Sequence, residues 1–169
     1  MDGRARGRLT AQVRIDLMSL AIIVKQDPAS VRRVLEALPD WFGDAVAIDN
    51  YVSAAGDIGF VSTVAVDRGQ VVGVSLTRRH FRDSAELHLI AVDPAARGNG
   101  VGRALINYVA CELRDDGCKL LSVHTVGPSF DNVPYAQTRA FYQAMGFSPL
   151  EEHNNLDWAG PTLILVRQL

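Results

Sequence analysis

The 169-residue sequence predicts a single α/β domain, and three local patterns support that prediction. An apolar strand pattern at 87–92 continues through a glycine-rich turn into a helical pattern. Two β-branched runs, at 60–66 and 71–77, flank a segment with the composition of a hairpin turn. A second helical pattern, at 135–147, ends at a glycine and is followed by the start of an apolar strand.

Composition favours one domain, at 17–169, around one core. Hydrophobic residues make up 48% of the chain, and no change in composition divides it. A formal net charge of -2 leaves no broad basic surface, which argues against nucleic acid and anionic membranes as partners. Cys111 and Cys118 follow no pairing pattern and favour a reducing, cytoplasmic compartment.

The N-terminal third is predicted as a tail, a strand and two helices. Residues 1–16 contain four arginines, and a flexible tail is favoured over a nucleic-acid arm because the charge is sparse. The apolar run at 17–24 is too short to span a bilayer and is predicted as the first strand. Asp27-Pro28 has the residues of a helix start, and Pro39 stops that helix. Apolar spacing predicts a second helix at 45–55.

The predicted central strand carries an acidic residue and a histidine. Before it, Arg78-Arg79-His80-Phe81-Arg82 is predicted as a basic connection, which either attracts an anion or is a solvated turn. Alternation along the strand predicts that Glu86 and His88 share one face, and that Leu87 and Leu89 share the other.

The C-terminal half is predicted to alternate helices and strands. A helix ends near Gly117, a strand follows at 119–126, and a Gly- and Pro-containing loop occupies 127–134. A second loop at 153–161 precedes the last strand, at 162–166.

The glycine-rich turn has the composition of an anion-binding loop. Gly98, Gly100 and Gly102 let the backbone approach a ligand closely, and the following helix directs its free N–H groups toward that ligand. The Rossmann fingerprint is excluded because Arg103 stands where its third glycine is needed. The Walker loop is excluded because the sequence contains no Gly-Lys pair.

Two motifs in this sequence resemble the GNAT acyltransferase superfamily. Arg97-Gly98-Asn99-Gly100-Val101-Gly102 fits the family's coenzyme A loop, which reads Arg or Gln, two residues, Gly, one residue, and Gly or Ala. Phe141-Tyr142, shortly before Gly146-Phe147, resembles its second diagnostic motif. The resemblance covers about 19–168. It implies a mixed, mostly antiparallel sheet of about six to seven strands with about four flanking helices.

The resemblance also implies that coenzyme A, supplied as acetyl-CoA, is the co-substrate. The strands that carry Val92 and Val126 are expected to splay and receive the pantetheine arm, and Tyr135 stands where many relatives carry an arm-binding Asn. The implied coenzyme-binding residues are Ile90, Ala91, Val92, Arg97, Gly98, Asn99, Gly100, Val101, Gly102 and Arg103.

Two residues occupy the positions of the family's catalytic groups. Tyr142 matches the catalytic acid, and Glu86, four residues before Ile90, matches the general base. The structural alternatives are a core tyrosine, and a solvent-facing or arginine-paired glutamate. His88 and His124 are further base candidates, each with a structural histidine as the alternative.

The acceptor is expected to contact two aromatic segments. In the resembled fold, the connection that contains Trp41 and Phe42 lies over the acceptor site, although both rings could instead pack at the edge of the core. Trp158, with the nearby acids Glu151, Glu152 and Asp157 and with His153, suits a cationic amine, or is a surface loop. The predicted substrate-site residues are Trp41, Phe42, His88, His124 and Trp158.

The predicted activity is acetyl transfer from acetyl-CoA to a primary amine by direct attack. The amine must lose a proton first, and an N–H group near Ile90 or Ala91 would stabilise the oxyanion. Small amines, aminoglycoside-like sugars and peptide or protein amines all remain possible acceptors. The rival hypothesis is a non-catalytic acyl-CoA-binding sensor or regulatory module on the same fold. A homodimer is possible, and no metal site is predicted.

Overall fold

The computed structural model describes residues 19–169 as a seven-stranded sheet flanked by helices. The predicted tail at 1–16 and the first two residues of the predicted first strand lie outside the described residues. The strands are β1 Ala21–Val24, β2 Val61–Asp67, β3 Gln70–Phe81, β4 Ser84–Val92, β5 Leu120–Val126, β6 Ser148–Asn154 and β7 Pro161–Gln168. The helices are α1 Pro28–Glu36, α2 Ala45–Gly56, α3 Val101–Asp115 and α4 Val133–Ala144.

The sheet is mixed and mostly antiparallel, as predicted. Its strand order is β1-β2-β3-β4-β5-β7-β6, and of the pairs formed only β4 with β5 is parallel among residues 19–169. Helix α3 makes the crossover between these two parallel strands. No helix in this part of the chain is both long and apolar enough to cross a membrane.

Local side chains explain where the helices begin. The Asp27 carboxylate accepts from the Ser30 N–H at 3.0 Å, and Pro28 follows it, so α1 begins where the sequence predicts. Asn132 caps α4 in the same way, by accepting from the Tyr135 N–H at 3.2 Å. Helix α3 differs, because Gly100 at its N-cap provides no side-chain acceptor.

Two predicted connections are wrong in part. The basic segment at 78–82 belongs to β3 as far as Phe81, because Arg78 pairs with Glu86 and Arg79 with Ala85 on β4. The strand accommodates these basic residues, since Arg79 also forms an ion pair with Asp116 at 2.7 Å. The predicted loop at 153–161 shrinks to 155–160, because β6 is an exposed edge strand without apolar alternation to mark it.

The prediction that Leu87 and Leu89 share a face is also wrong. Leu87 packs in the hydrophobic cluster beneath α3 and α4, whereas Leu89 packs in the cluster beneath α1 and α2. The cause is a β-bulge in β4: Leu76 pairs with Leu89 and Thr77 with Leu87, which leaves His88 without a partner on β3. Alternation therefore reverses at His88.

Candidate active site

The central feature of the site is a gap between the two parallel strands. Pairing of β4 with β5 ends at Leu87 and Val123, although the strands continue to Val92 and Val126. A cleft of about 1100 Å³ opens there. It is lined by both strand ends, the glycine loop, the connection between α1 and α2, helix α4, and the loop before β7. The predicted splay is therefore present.

The glycine loop forms one end of this cleft. Gly98 and Gly100 have φ of 77° and 79°, in the left-handed region that favours glycine. Because Gly100 provides no side-chain cap, the first N–H groups of α3 are left for a ligand. Gly102 is small for another reason: a Cβ there would lie 3.0 Å from Phe141 Cζ. All predicted coenzyme residues line the cleft except Asn99, which is exposed on the loop.

Glu86 lies at the centre of a cluster with two histidines. His80 Nε2 donates to Oε2 of Glu86 at 2.7 Å, and His88 Nδ1 donates to Oε1 at 3.1 Å. These bonds outweigh burial: the His88 hydrogen bond, followed by that of His80, lowers the pKa of Glu86 to about 2. The carboxylate is therefore ionised throughout the physiological range, and its side chain is only 16% exposed.

His88 is held between the carboxylate and an aromatic surface. Its ring centroid lies 5.4 Å from that of Tyr51 and 4.9 Å from that of Phe60. The sequence places His80 only within a basic cluster and does not identify it as a site residue. The signal that could have identified His80 is a short turn between β3 and β4, because such a turn brings residues 80 and 86 together across the hairpin.

His124 forms a second histidine–carboxylate pair in the cleft. Its Nδ1 donates to Asp157 Oδ2 at 2.9 Å. Beside that pair, the rings of Phe130 and Trp158 meet edge to face at 5.5 Å, and the Trp158 indole N–H donates to the Pro161 carbonyl at 3.2 Å. All four side chains line the cleft, so the structure brings His124 and Trp158 together.

The other acids of that C-terminal segment lie elsewhere. Glu151 pairs with His153 at 3.1 Å on β6, and neither residue lines the cleft. The Glu152 carboxylate accepts hydrogen bonds from the N–H and the hydroxyl of Ser129. Of this predicted acceptor group, only Asp157 and Trp158 reach the cleft.

Trp41 joins the coenzyme loop to helix α4. Its ring stacks under the Arg97 guanidinium at 4.1 Å, and its indole N–H donates to Thr138 Oγ1 at 3.0 Å. The Tyr135 hydroxyl donates to the Trp41 carbonyl at 2.8 Å, so Tyr135 contacts the connection between α1 and α2. Phe42 contacts Tyr51, at 5.9 Å between centroids. The two neighbouring aromatic residues therefore contact different parts of the cleft.

Tyr142 lies on α4, where it packs in the hydrophobic core and also borders the cleft. It is 6% exposed, and its ring centroid lies 5.6 Å from that of Phe141 and 5.7 Å from that of Phe147. Among residues 19–169 its hydroxyl has no hydrogen-bond partner. Burial raises the pKa of Tyr142, with smaller contributions from Tyr51 and Tyr135, so the phenol keeps its proton.

Comparison with known proteins agrees with this architecture. The family model described as an acetyltransferase (GNAT) domain matches residues 58–149. A GNAT acetyltransferase from Desulfovibrio desulfuricans superposes with a TM-score of 0.77 at 26% identity, covering 88% of this chain and 98% of that one. The ribosomal-protein-S18-alanine N-acetyltransferase of Escherichia coli shares the fold, with a TM-score of 0.72 at 19% identity over 88% of this chain and 93% of that chain.

Sequence relatives with curated names are longer proteins. The mycothiol acetyltransferase of Gordonia bronchialis is 29% identical over 129 residues, which cover 72% of this chain and 40% of the relative. The mycothiol acetyltransferase of Actinosynnema mirum is 35% identical over 86 residues, which cover 50% of this chain and 27% of the relative. This chain thus spans less than half of the length of these relatives.

Proposed function

The chain belongs to the GNAT acetyltransferase family, and on that premise we propose that it transfers an acetyl group from acetyl-CoA to a primary amine. The observation that carries the proposal is one continuous cleft. It has an uncapped helix N-terminus and two arginines at the glycine loop, and an ionised Glu86 with His88 at the splayed strands. A cytoplasmic location and a homodimer stay predictions.

The coenzyme end of the cleft suits a pyrophosphate and a pantetheine arm. The N–H groups at the start of α3 and the Arg97 and Arg103 side chains offer donors and positive charge to the phosphates. The segment from Ile90 to Val92 pairs with β3 but no longer with β5, so the edge that faces the gap offers main-chain groups to the amide-containing arm. We propose that an N–H group at Ile90 or Ala91 also stabilises the oxyanion.

The acceptor amine must lose a proton to become a nucleophile, since alkyl amines have a pKa of about 10.4 and are mostly protonated at neutral pH. We propose that Glu86 is the acid–base centre, acting together with its histidine partners. With a pKa of about 2, the carboxylate alone is a weak base. Its hydrogen bonds to His80 and His88 link it to two imidazoles, and the ring nitrogen that faces away from the carboxylate is available to accept a proton.

We propose that Tyr142 stabilises the departing sulfur by a hydrogen bond. As the C–N bond forms and the C–S bond breaks, the thiolate needs a hydrogen-bond donor, and the Tyr142 hydroxyl has no competing partner in the described residues. A thiol has a pKa of about 8.5, which is below the raised pKa of Tyr142. Full proton transfer from the phenol is therefore uphill, and its contribution is a hydrogen bond to the developing thiolate.

The experiment measures thiol release from acetyl-CoA with pooled amines, aminoglycosides, peptides and the deacetylated form of mycothiol. Tyr142→Phe is expected to lower kcat about ten-fold or more and to change the dissociation constant of coenzyme A less than about two-fold. The matched control is Tyr108→Phe, which changes a tyrosine of α3 outside the cleft lining. Equal kcat for Tyr142→Phe and the wild type would remove Tyr142 from the mechanism.

The second candidate is a non-catalytic acyl-CoA-binding module. The observation that favours it is that the Glu86 and Asp157 carboxylates are each paired with a histidine, which leaves neither carboxylate a free base. Coenzyme binding without thiol release in every pool would support this module and contradict the transferase.

A further inference from the structure

The two ends of the cleft differ in charge. Arg97 and Arg103 lie at the glycine loop, and the part of the chain that the structure describes contributes no other arginine and no lysine to the lining. Glu86 and Asp157 line the cleft away from that loop, each beside a histidine. A carboxylate-bearing acceptor would meet no arginine or lysine of the described residues there, whereas a positively charged acceptor would meet Glu86 and Asp157; Asp44, at the start of α2, adds a third carboxylate to the lining.

The two carboxylates converge on one region. After burial, the charges of Asp157 and Glu86 both contribute to the raised pKa of Tyr51, so both act on the same phenol. His124, the partner of Asp157, in turn helps to lower the pKa of Glu86. Glu86 pairs with Ser122 on β5, and His124, which binds Asp157, lies two residues further along that strand, so both carboxylates face the same stretch of the cleft.

An aromatic pair stands beside Asp157 at the mouth of the cleft. Phe130 is 43% exposed and Trp158 is 40% exposed, although both are large apolar side chains. They form an edge-to-face pair, and the indole hydrogen bond to Pro161 holds the Trp158 ring. Aromatic faces next to a carboxylate bind ammonium groups by combining cation–π attraction with ion pairing.

From these observations we infer that the acceptor carries two basic amines. One is the reactive amine beside Glu86, and the other stays protonated between Asp157 and the Phe130–Trp158 pair. The inference rests on the proposed function and names its substrate class: diamines, polyamines and amino sugars with several amines, without a carboxylate near the reactive nitrogen.

The test compares acceptors of equal length. Diaminopentane and hexylamine share a five-carbon chain and a reactive amine, but differ in an ammonium or a methyl group at the far end. The kcat/KM of the diamine is expected to exceed that of the monoamine by about ten-fold. Asp157→Asn is expected to reduce this ratio to less than about three-fold, because it removes the ion pair. Trp158→Leu is also expected to lower the ratio, because it removes the cation–π contact.

Glu151→Gln is the matched control, because Glu151 is also a histidine-paired carboxylate near this loop but lies outside the cleft. It should leave the ratio unchanged. Equal kcat/KM for the two amines in the wild type would overturn the inference and leave the proposed function standing. Absence of transfer to any amine would overturn the proposed function, and calorimetry then decides the inference. Binding of diaminopentane to the coenzyme A complex that weakens in Asp157→Asn would support a diamine site, and no binding would overturn it.

Discussion

Substitution of Gly100 separates the conformational role of the loop from its role in coenzyme binding. Gly100 has φ of 79°, and a Cβ there would meet no heavy atom within 4 Å. Gly117, just past the other end of α3, has φ of 78° and equally open surroundings. An alanine in this left-handed conformation costs about 1–2 kcal/mol. Gly100→Ala and Gly117→Ala should therefore destabilise the fold by similar amounts.

The corresponding glutamate variants should differ in coenzyme binding. At the start of α3, a new carboxylate would lie a few ångströms from a bound pyrophosphate. Repulsion between unit charges at about 4 Å is about 1 kcal/mol in water and about 4 kcal/mol at an effective dielectric constant of about 20. Gly100→Glu is thus expected to weaken coenzyme A binding by about five-fold to about a thousand-fold. Gly117→Glu, at the opposite end of the helix, should not weaken it.

Urea unfolding and calorimetric titration with coenzyme A provide the two measurements. Stability should fall in both glutamate variants, and slightly more in Gly117→Glu, because a negative charge is unfavourable at a helix C-terminus. Binding should fall only in Gly100→Glu. Equal coenzyme affinity for the two variants would refute the assignment of the pyrophosphate to the start of α3.

Two further predictions concern the pairs around the cleft. The lowered pKa of Glu86, about 2 against an ordinary value of 4.5, implies stability that is present above about pH 4.5 and is lost as the pH falls toward 2. The unfolding free energy of the wild type should decline in this window by up to about 3 kcal/mol more than that of Glu86→Gln; parallel declines would contradict the Glu86 hydrogen bonds. Trp41→Phe and Thr138→Val should each lower stability by about 1 kcal/mol, because each removes the indole hydrogen bond. In a double-mutant cycle the two losses should not add, and full additivity would show that the bond contributes nothing.

Sequence predicts best those features that depend on neighbouring residues. The cap at Asp27, the hairpin turn at Arg68 and Gly69, and the glycine loop are each set by a few consecutive residues. The hairpin turn illustrates this point, because φ of 49° at Arg68 and 78° at Gly69 is the backbone that a two-residue turn requires. These features could be predicted because their physics is local.

The partners of the site residues could not be predicted in the same way. His80 reaches Glu86 across the turn between β3 and β4, and Asp157 reaches His124 from a loop 33 residues further along the chain. Such contacts depend on strand register and on the path of a loop. Neither leaves a periodic pattern in the sequence.

The bulge at His88 explains why the acid–base groups and the coenzyme loop share one cleft. An extra residue on one strand increases the local twist and bends that strand. In β4 the extra residue follows Leu87, and Leu87 is also the last residue of β4 that pairs with β5. Beyond it, β4 leaves β5 and exposes Ile90 to Val92 to the gap. The same insertion reverses alternation, so His88 contacts Tyr51 while the next residue, Leu89, enters the core beneath α1 and α2. One inserted residue thus both opens the cleft and aims the histidine into it.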